Sequence, residues 1–366
     1  MAPHQGTDVK PRVSVVMPVR DAGPYLREAV RSILDQDYRD LELLIVREHG
    51  SGEDIDSLLE GLWDGRLRVV QNTEPLGLAM SLNIGVEEAR GEYVARMDAD
   101  DVSDPRRIGK QARFLDEHKD VGVVGTQTVF IDPDGREVPS TPLPTTPAMV
   151  RWQLHFLNPI AHPTVMMRRD LIKELGGYST RAHLCEDYEL WLRAMRKTDL
   201  ANLPEPLLRY RRHGGSVSVA RAQEQRERAS ELAVRAIQVS TGRPVDRETA
   251  LAIIHPYRIQ SPKVTSRAAH LLYSVYRAYI DWNKLSGEDI MDVKWDVSER
   301  MSHILMRSLR LRSAHTTMVL WHTSRFGPGV VWRFATNVVR RGVERINGEH
   351  DKKIKTPQAR GSDAPA

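Results

Sequence analysis

The stretch Tyr93-Val94-Ala95-Arg96-Met97-Asp98-Ala99-Asp100-Asp101 is a short apolar strand that runs straight into three carboxylates within four residues. Carboxylates this close repel one another, and such crowding is stable where solvent or a divalent cation neutralises it; hard oxygen ligands suit Mg²⁺ or Mn²⁺. The end of a strand is also where α/β sheets take their ligands. Capping the next helix is the competing use for these acids. Ser103-Asp104-Pro105 follows, however, with Asp104 as the cap and a proline in the first turn. Asp98, Asp100 and Asp101 are thereby left without a structural task, and are expected to face solvent as a metal or ligand site.

Upstream, Val13 to Val19 is a near-continuous apolar run closed by Pro18, the pattern of a buried parallel strand. Asp21-Ala22-Gly23-Pro24 makes a turn, and Tyr25 to Leu34 has helical spacing at Leu26, Ala29, Val30 and Ile33. Leu41 to Val46 and Leu67 to Val70 read as further strands, Ile55 to Leu62 and Leu78 to Ala89 as helices. This alternation predicts a mostly parallel sheet with helices on both faces and a site at the strand C-termini.

Downstream, Ile108 to Leu115 reads as a helix, and Val121 to Ile131 as part of a strand pair turning at Asp132-Pro133-Asp134-Gly135. Glu186-Asp187-Tyr188-Glu189 opens a helix whose acidic first turn suits the positive end of its dipole. Beyond Arg221 long amphipathic helical patterns take over, as at Ala268, Leu271, Leu272, Val275, Tyr279 and Ile280. The expected organisation is a disordered leader over 1–11, an α/β domain over 12–222, a helical domain over 223–346 and a disordered polar tail over 347–366.

Charge is mixed over the 366 residues, with a formal net charge of +4 and no basic tract in the first two hundred. Nucleic acid is therefore not the expected partner. Cys185 is the one cysteine, so no intrachain disulfide forms, which fits a reducing compartment. The polar N-terminus has no signal-peptide core, and no stretch approaches the ~18 apolar residues of a membrane span. A cytoplasmic location is expected. From Gly329 to Ile346 one helical face is apolar while Arg333, Arg340, Arg341 and Arg345 fall largely on the other. Peripheral contact with the inner face of a membrane gives that pattern, and so does a terminal helix packing on its own domain.

Several segments in register resemble family 2 glycosyltransferases. They include Val15-Val16-Met17-Pro18-Val19-Arg20-Asp21, Leu82-Asn83-Ile84-Gly85, Arg96-Met97-Asp98-Ala99-Asp100-Asp101, His162-Pro163-Thr164-Val165, Gly176-Gly177-Tyr178, Glu186-Asp187-Tyr188-Glu189-Leu190-Trp191 and Tyr210-Arg211-Arg212-His213. The resemblance covers about Val13 to Ser218. It implies a GT-A fold (Rossmann-like), a nucleoside diphosphate-sugar donor, Mn²⁺ or Mg²⁺, and inversion at the anomeric carbon. Under it Asp98 contacts the ribose region, Asp100 binds the metal with His213 completing the site, and Asp187 is the catalytic base. Pro18, Val19, Asp21, Glu48, Asn83 and Arg96 fall on the donor side, and Glu186, His162 and Trp152 on the acceptor side.

The chemistry agrees with those roles. A diphosphate leaving group develops charge that a cation stabilises, and a carboxylate that takes the acceptor hydroxyl's proton is worth ~10²–10⁴-fold. One departure concerns the donor base. Many members carry two adjacent aspartates after the second strand, whereas Arg47 and Glu48 stand here, followed by His49-Gly50-Ser51. Glu48 can still accept from a uracil or thymine imide. The expected activity is transfer of one sugar from a UDP- or dTDP-sugar to a glycan, lipid-linked or small-molecule acceptor, in surface glycan, glycolipid or glycosylated natural product biosynthesis. A non-catalytic sugar-nucleotide binder or scaffold would keep the fold and lose Asp187. A nucleotidyltransferase would want a glycine-rich basic loop after the first strand, where the chain offers only Arg20-Asp21-Ala22-Gly23.

Overall fold

The computed structural model describes residues 10–20, 23–50, 55–215 and 220–326. Asp21, the amphipathic stretch 329–346 and the polar tail lie outside the described residues, as does the leader apart from Lys10 and Pro11. Contacts divide the chain into two units, Met1–Ala236 and Ile237–Ala366. The expected boundary at 222/223 falls at the start of the helix through which that division runs.

In the first unit, β1 (Val13–Val19), β2 (Leu41–Arg47), β3 (Leu67–Gln71) and β4 (Tyr93–Arg96) pair in parallel in the order β3-β2-β1-β4. The interior residues of β1, β2 and β4 are buried on both faces, which is why β1 and β2 read as continuous apolar runs, whereas the outer strand β3 is partly exposed. Ser14 and Glu42 stand opposite each other in this register and satisfy one another: the Ser14 hydroxyl donates to Glu42 Oε1 at 2.6 Å, and Arg68 donates to Oε2 at 2.9 Å. Helix α1 (Leu26–Leu34) buries Leu26, Ala29, Val30 and Ile33, and α2 (Ile55–Leu58) is a single turn. Helix α3 (Leu78–Glu88) lies against β1 so closely that a Cβ on Gly85 would sit 2.3 Å from Val16 Cγ1.

Beyond β4 the sheet becomes mixed. Its order continues β4-β8-β6-β9-β5, with β5 (Val102–Ser103), β6 (Val121–Ile131), β8 (Met166–Arg168) and β9 (Asp199–Arg211), while β7 (Glu137–Val138) folds back on β6. β8 runs antiparallel to β4 and β6, β9 parallel to β6, and β5 antiparallel to β9. Helix α4 (Arg107–Glu117) is entered through Asp104, whose carboxylate accepts from the N–H of Arg106 at 3.0 Å. Helices α5 (Pro147–Gln153), α6 (Arg169–Glu174) and α7 (Glu186–Ala194) follow, and α8 (Ala222–Thr241) leaves the unit.

The second unit is helical among its described residues: α9 (Arg247–Ile254), α10 (Pro262–Trp282), α11 (Gly287–Arg310) and α12 (Thr316–Ser324). Asp246 caps α9, Pro262 opens α10, and Ser286 and Asp289 form a reciprocal cap on α11. Leu272 and Val275 of α10 and Val297, Met301 and Ile304 of α11 are buried. No helix among the described residues is long and apolar enough to cross a membrane.

Candidate active site

Strand β4 delivers Arg96 to its C-terminal end, where the guanidinium is 4% exposed. It forms a two-point pair with Asp98, one bond at 2.5 Å. The solvent-facing position expected for Asp98 is therefore corrected: the side chain is half-buried because it neutralises a buried cation. Burial pushes the Asp98 carboxyl up, Arg96 pulls it down, and Asp100 pushes it up again, for a net rise. Asp101 also departs from the expectation and is buried. Its Oδ1 accepts from the N–H of Arg211 at 2.8 Å, and Oδ2 has no hydrogen-bond partner among the described residues. Burial, with Asp98 and Asp100 adding to it, lifts this carboxyl well above its ordinary range.

The end of β9 supplies the counterpart to these acids. Arg211 donates from Nε to the Asp100 carbonyl at 2.9 Å and from Nη2 to Glu28 at 2.7 Å, with its guanidinium 4.4 Å from the centroid of the Tyr25 ring. Two residues on, His213 Nε2 lies 3.0 Å from Asp100 Oδ2. One oxygen from each of Asp98, Asp100 and Asp101 lies within 4.8 Å of the others. A buried carboxylate oxygen without a donor, set beside two further carboxylates, is a hard donor set that fits a divalent cation. Beneath the cluster, the fully buried Arg107 of α4 donates to the carbonyls of Pro163 at 2.9 Å and Arg96 at 3.0 Å. Burial brings its guanidinium down to about 10, although Asp101 opposes the shift.

The second group of acids lies at the N-terminus of α7. Asp187 Oδ2 accepts from Asn158 Nδ2 at 2.7 Å, and Oδ1 from the N–H of Tyr188 at 2.7 Å. The Tyr188 hydroxyl in turn donates to the Leu154 carbonyl at 2.7 Å, pinning the first turn of the helix. Burial, reinforced by the charge of Glu186, raises Asp187 to about 6, against the pull of the Tyr188 N–H, Arg96 and Asn158. Glu186 is buried beside it, and burial raises its carboxyl too. Arg96 acts electrostatically on both groups of acids, and Asp187 contributes to the rise at Asp98.

His162 Nε2 lies 3.1 Å from the Tyr178 hydroxyl, and burial together with Arg96 pushes its pKa well below the ordinary value, so it is neutral. Asn83 pairs with the Tyr178 backbone, Oδ1 accepting its N–H at 2.7 Å and Nδ2 donating to its carbonyl at 2.9 Å. This clasp requires glycine at 177, where φ is +72° and a Cβ would sit 2.4 Å from Asn83 Oδ1. Trp152, expected on the acceptor side, is 0% exposed and packs edge-on against Phe156 with ring centroids 5.0 Å apart. It belongs to the core and presents no surface to an acceptor.

Glu48 follows β2, its N–H donating to the Val19 carbonyl at 2.8 Å, while Pro18 beside it is half-buried. Its Oε1 accepts from the N–H of Leu76 at 2.5 Å and its Oε2 from the Ser81 hydroxyl at 2.8 Å. Burial works to raise this carboxyl, but Leu76, Ser81, Gly77 and Arg20 together hold it below the ordinary value. Glu48 thus ties the loop that enters α3 to the end of β2. Asn158, Arg211 and Arg107 have roles here that their sequence positions did not announce. For Arg211 the one available signal was its place two residues before His213.

A family model described as "Glycosyl transferase family 2" matches residues 14–176. The chain is 35% identical over 208 residues to the O-antigen biosynthesis glycosyltransferase WbnJ of Escherichia coli, covering 56% of this chain and 81% of that one. It is 36% identical over 191 residues to EpsE of Bacillus subtilis, covering 50% of this chain and 66% of that one. Among solved structures it resembles S. aureus TarS in complex with UDP-GlcNAc, with a TM-score of 0.51 at 17% identity over 84% of this chain and 90% of that one. It also resembles the mannosyltransferase PcManGT of Pyrobaculum calidifontis in complex with GDP-Man and Mn²⁺, with a TM-score of 0.50 at 17% identity over 92% and 89%. At that identity the likeness is one of fold: a GT-A sheet followed by helices.

Proposed function

Because the chain belongs to glycosyltransferase family 2, we propose that it is a metal-dependent, inverting enzyme moving one sugar from a UDP- or dTDP-sugar to an acceptor hydroxyl in surface glycan or glycolipid assembly. The observation that carries this reading is the meeting of two acid groups with opposite needs. Asp98, Asp100 and Asp101 crowd oxygens around one point, while Asp187 stands apart on α7 with its pKa raised to about 6.

Asp98, Asp100 and Asp101, with His213 beside Asp100, would hold the divalent cation. When bound, that cation supplies Lewis-acid stabilisation to the departing diphosphate. The remaining work falls to the protein. Arg96 balances the charge of Asp98 and fixes its orientation. Asp187 receives the proton of the acceptor hydroxyl as the oxygen attacks the anomeric carbon on the face opposite the diphosphate, which inverts that centre. A carboxylate of pKa about 6 suits the task, being ionised at neutral pH and more basic than an ordinary aspartate. The family match ends at residue 176, so the role of Asp187 rests on its half-buried setting, its partners and its position.

The names of similar proteins agree on nucleotide sugars and differ on the base. TarS was solved with UDP-GlcNAc and PcManGT with GDP-Man. An Escherichia coli relative, 25% identical over 195 residues, is named for UDP-Gal and a diphosphoundecaprenol acceptor. Glu48 favours the pyrimidine reading if one of its oxygens exchanges Ser81 for a base imide. Purified protein incubated with UDP-, dTDP- and GDP-sugars, with Mn²⁺, Mg²⁺ or chelator, tests the proposal. Metal-dependent nucleoside diphosphate release from a pyrimidine donor is expected. Equal rates with chelator, or turnover of the GDP-sugars alone, would overturn the metal or the base assignment respectively.

A further inference from the structure

Helix α7 begins from an unusual piece of backbone. Leu184, three residues before Asp187, has φ of +68°, and Arg312 is the one other non-glycine residue with positive φ among those described. A branched side chain in the left-handed region is disfavoured and persists only where its surroundings impose it. Here the Leu184 side chain is buried, and the left-handed step turns the chain so that Cys185 and Glu186 open the helix.

What imposes it comes from the start of α8. Gln225 donates from Nε2 to the Leu184 carbonyl at 3.0 Å, and its own carbonyl accepts the Cys185 thiol at 3.5 Å. The Cys185 N–H goes back to the Ala182 carbonyl at 2.8 Å, closing the turn on its other side. Arg221, one helical turn before Gln225, lies 2.9 Å from His183. Gln225 therefore holds the Leu184 carbonyl through its amide and the Cys185 side chain through its own carbonyl, at the turn that aims the start of α7, which carries Glu186 and Asp187.

We infer that Gln225 is a positioning residue for Asp187, acting by holding the Leu184 backbone in its left-handed conformation. Without the amide, Leu184 relaxes toward the ordinary regions of backbone space, and the first turn of α7 rotates away from Asn158. A misplacement of about 1 Å at a reacting group can cost ~10²-fold in rate. The inference rests on the reading of Asp187 as the base.

The test is a double-mutant cycle in the full chain. Gln225→Met keeps the volume and removes the amide; Leu184→Gly adopts the left-handed conformation at no steric cost. Nucleoside diphosphate release from UDP-, dTDP- and GDP-sugars with Mn²⁺ is measured for each variant, together with KM and the pH profile. Gln225→Met should lower kcat by about tenfold or more with donor KM within about twofold, and should shift the acid limb of the profile. In the Leu184→Gly background the same substitution should lower kcat by less than about threefold. Wild-type kcat in Gln225→Met, or a loss of equal size in both backgrounds, would overturn the inference. Asp187→Asn run alongside separates the two ideas, because full turnover there removes the base reading itself, whereas an inactive Asp187→Asn beside an unaffected Gln225→Met removes only the positioning role.

Discussion

Asn158 Nδ2 and Asp187 Oδ2 are joined by a 2.7 Å hydrogen bond that spans 29 positions of sequence. The bond leaves the carboxylate oriented yet still raised in pKa, since burial outweighs the donors it has gathered. Asp187→Asn keeps the shape and removes the proton acceptor. Turnover should fall by ~10²-fold or more with donor affinity nearly unchanged. Calorimetric titration with the donor and a discontinuous rate assay check the two halves.

The raised pKa also sets the pH dependence. Rate should fall tenfold per pH unit below about 6 as Asp187 protonates. Stability moves the opposite way. The folded pKa of about 6 exceeds the ordinary 3.8, so between these values the native state holds more protons than the unfolded one. This group's stabilising contribution is full below 3.8 and is lost as pH rises through 6. Asp187→Asn lacks that loss, so its stability relative to wild type should rise by ~2–3 kcal/mol between pH 4 and pH 7. Urea denaturation of both proteins across that range measures it.

Asp98 and Asp100 should behave differently when truncated, because only Asp98 pairs with a buried arginine. Asp98→Ala should cost ~2–3 kcal/mol, less than the orphaning of a fully buried charge because Asp98 keeps some solvent contact. Removing the cation as well, in Arg96→Met with Asp98→Asn, should recover part of that loss. Asp100→Ala should fold normally and lose metal-dependent donor binding. Thermal melts and titration of Mn²⁺ with the donor discriminate the cases.

Glu48 offers a further measurement. Its carboxylate accepts from Leu76 and Ser81 at once, so Glu48→Ala leaves two donors without their acceptor and should lower stability by ~1–3 kcal/mol. Donor KM should rise for every base as the loop entering α3 loosens, and the margin between UDP- and GDP-sugars should narrow. An unchanged margin would confine Glu48 to holding that loop.

The parallel half of the sheet could be read from the chain because β1, β2 and β4 are buried on both faces and appear as apolar runs bounded by turn residues. Of the mixed half, the β6–β7 pair across Asp132 to Gly135 could be read, but β8 and β9 could not. β8 is three residues long, and β9 carries Pro204, Glu205 and Pro206 where its register against β6 is irregular. The acids at 98, 100, 101 and 187 were legible from their spacing at a strand end and a helix start. The distant contacts around them were not, because Arg211 meets Asp101 across 110 positions and Gln225 meets Leu184, ahead of Asp187, across 41. Trp152 shows the converse, an aromatic near polar residues in sequence that packing assigned to the core.

Arg107 ties the two halves of the sheet to one another. Its two carbonyl partners come from the end of the parallel half, at Arg96, and from Pro163 in the turn that leads into β8. Until both have closed over α4, the guanidinium must stay in water or be buried without acceptors, and either choice penalises a half-built sheet. The two halves are therefore expected to open as a single cooperative unit. Amides in β1 and β6 should exchange with one common opening free energy, and separate protection levels for the two strands would mean that the halves open independently.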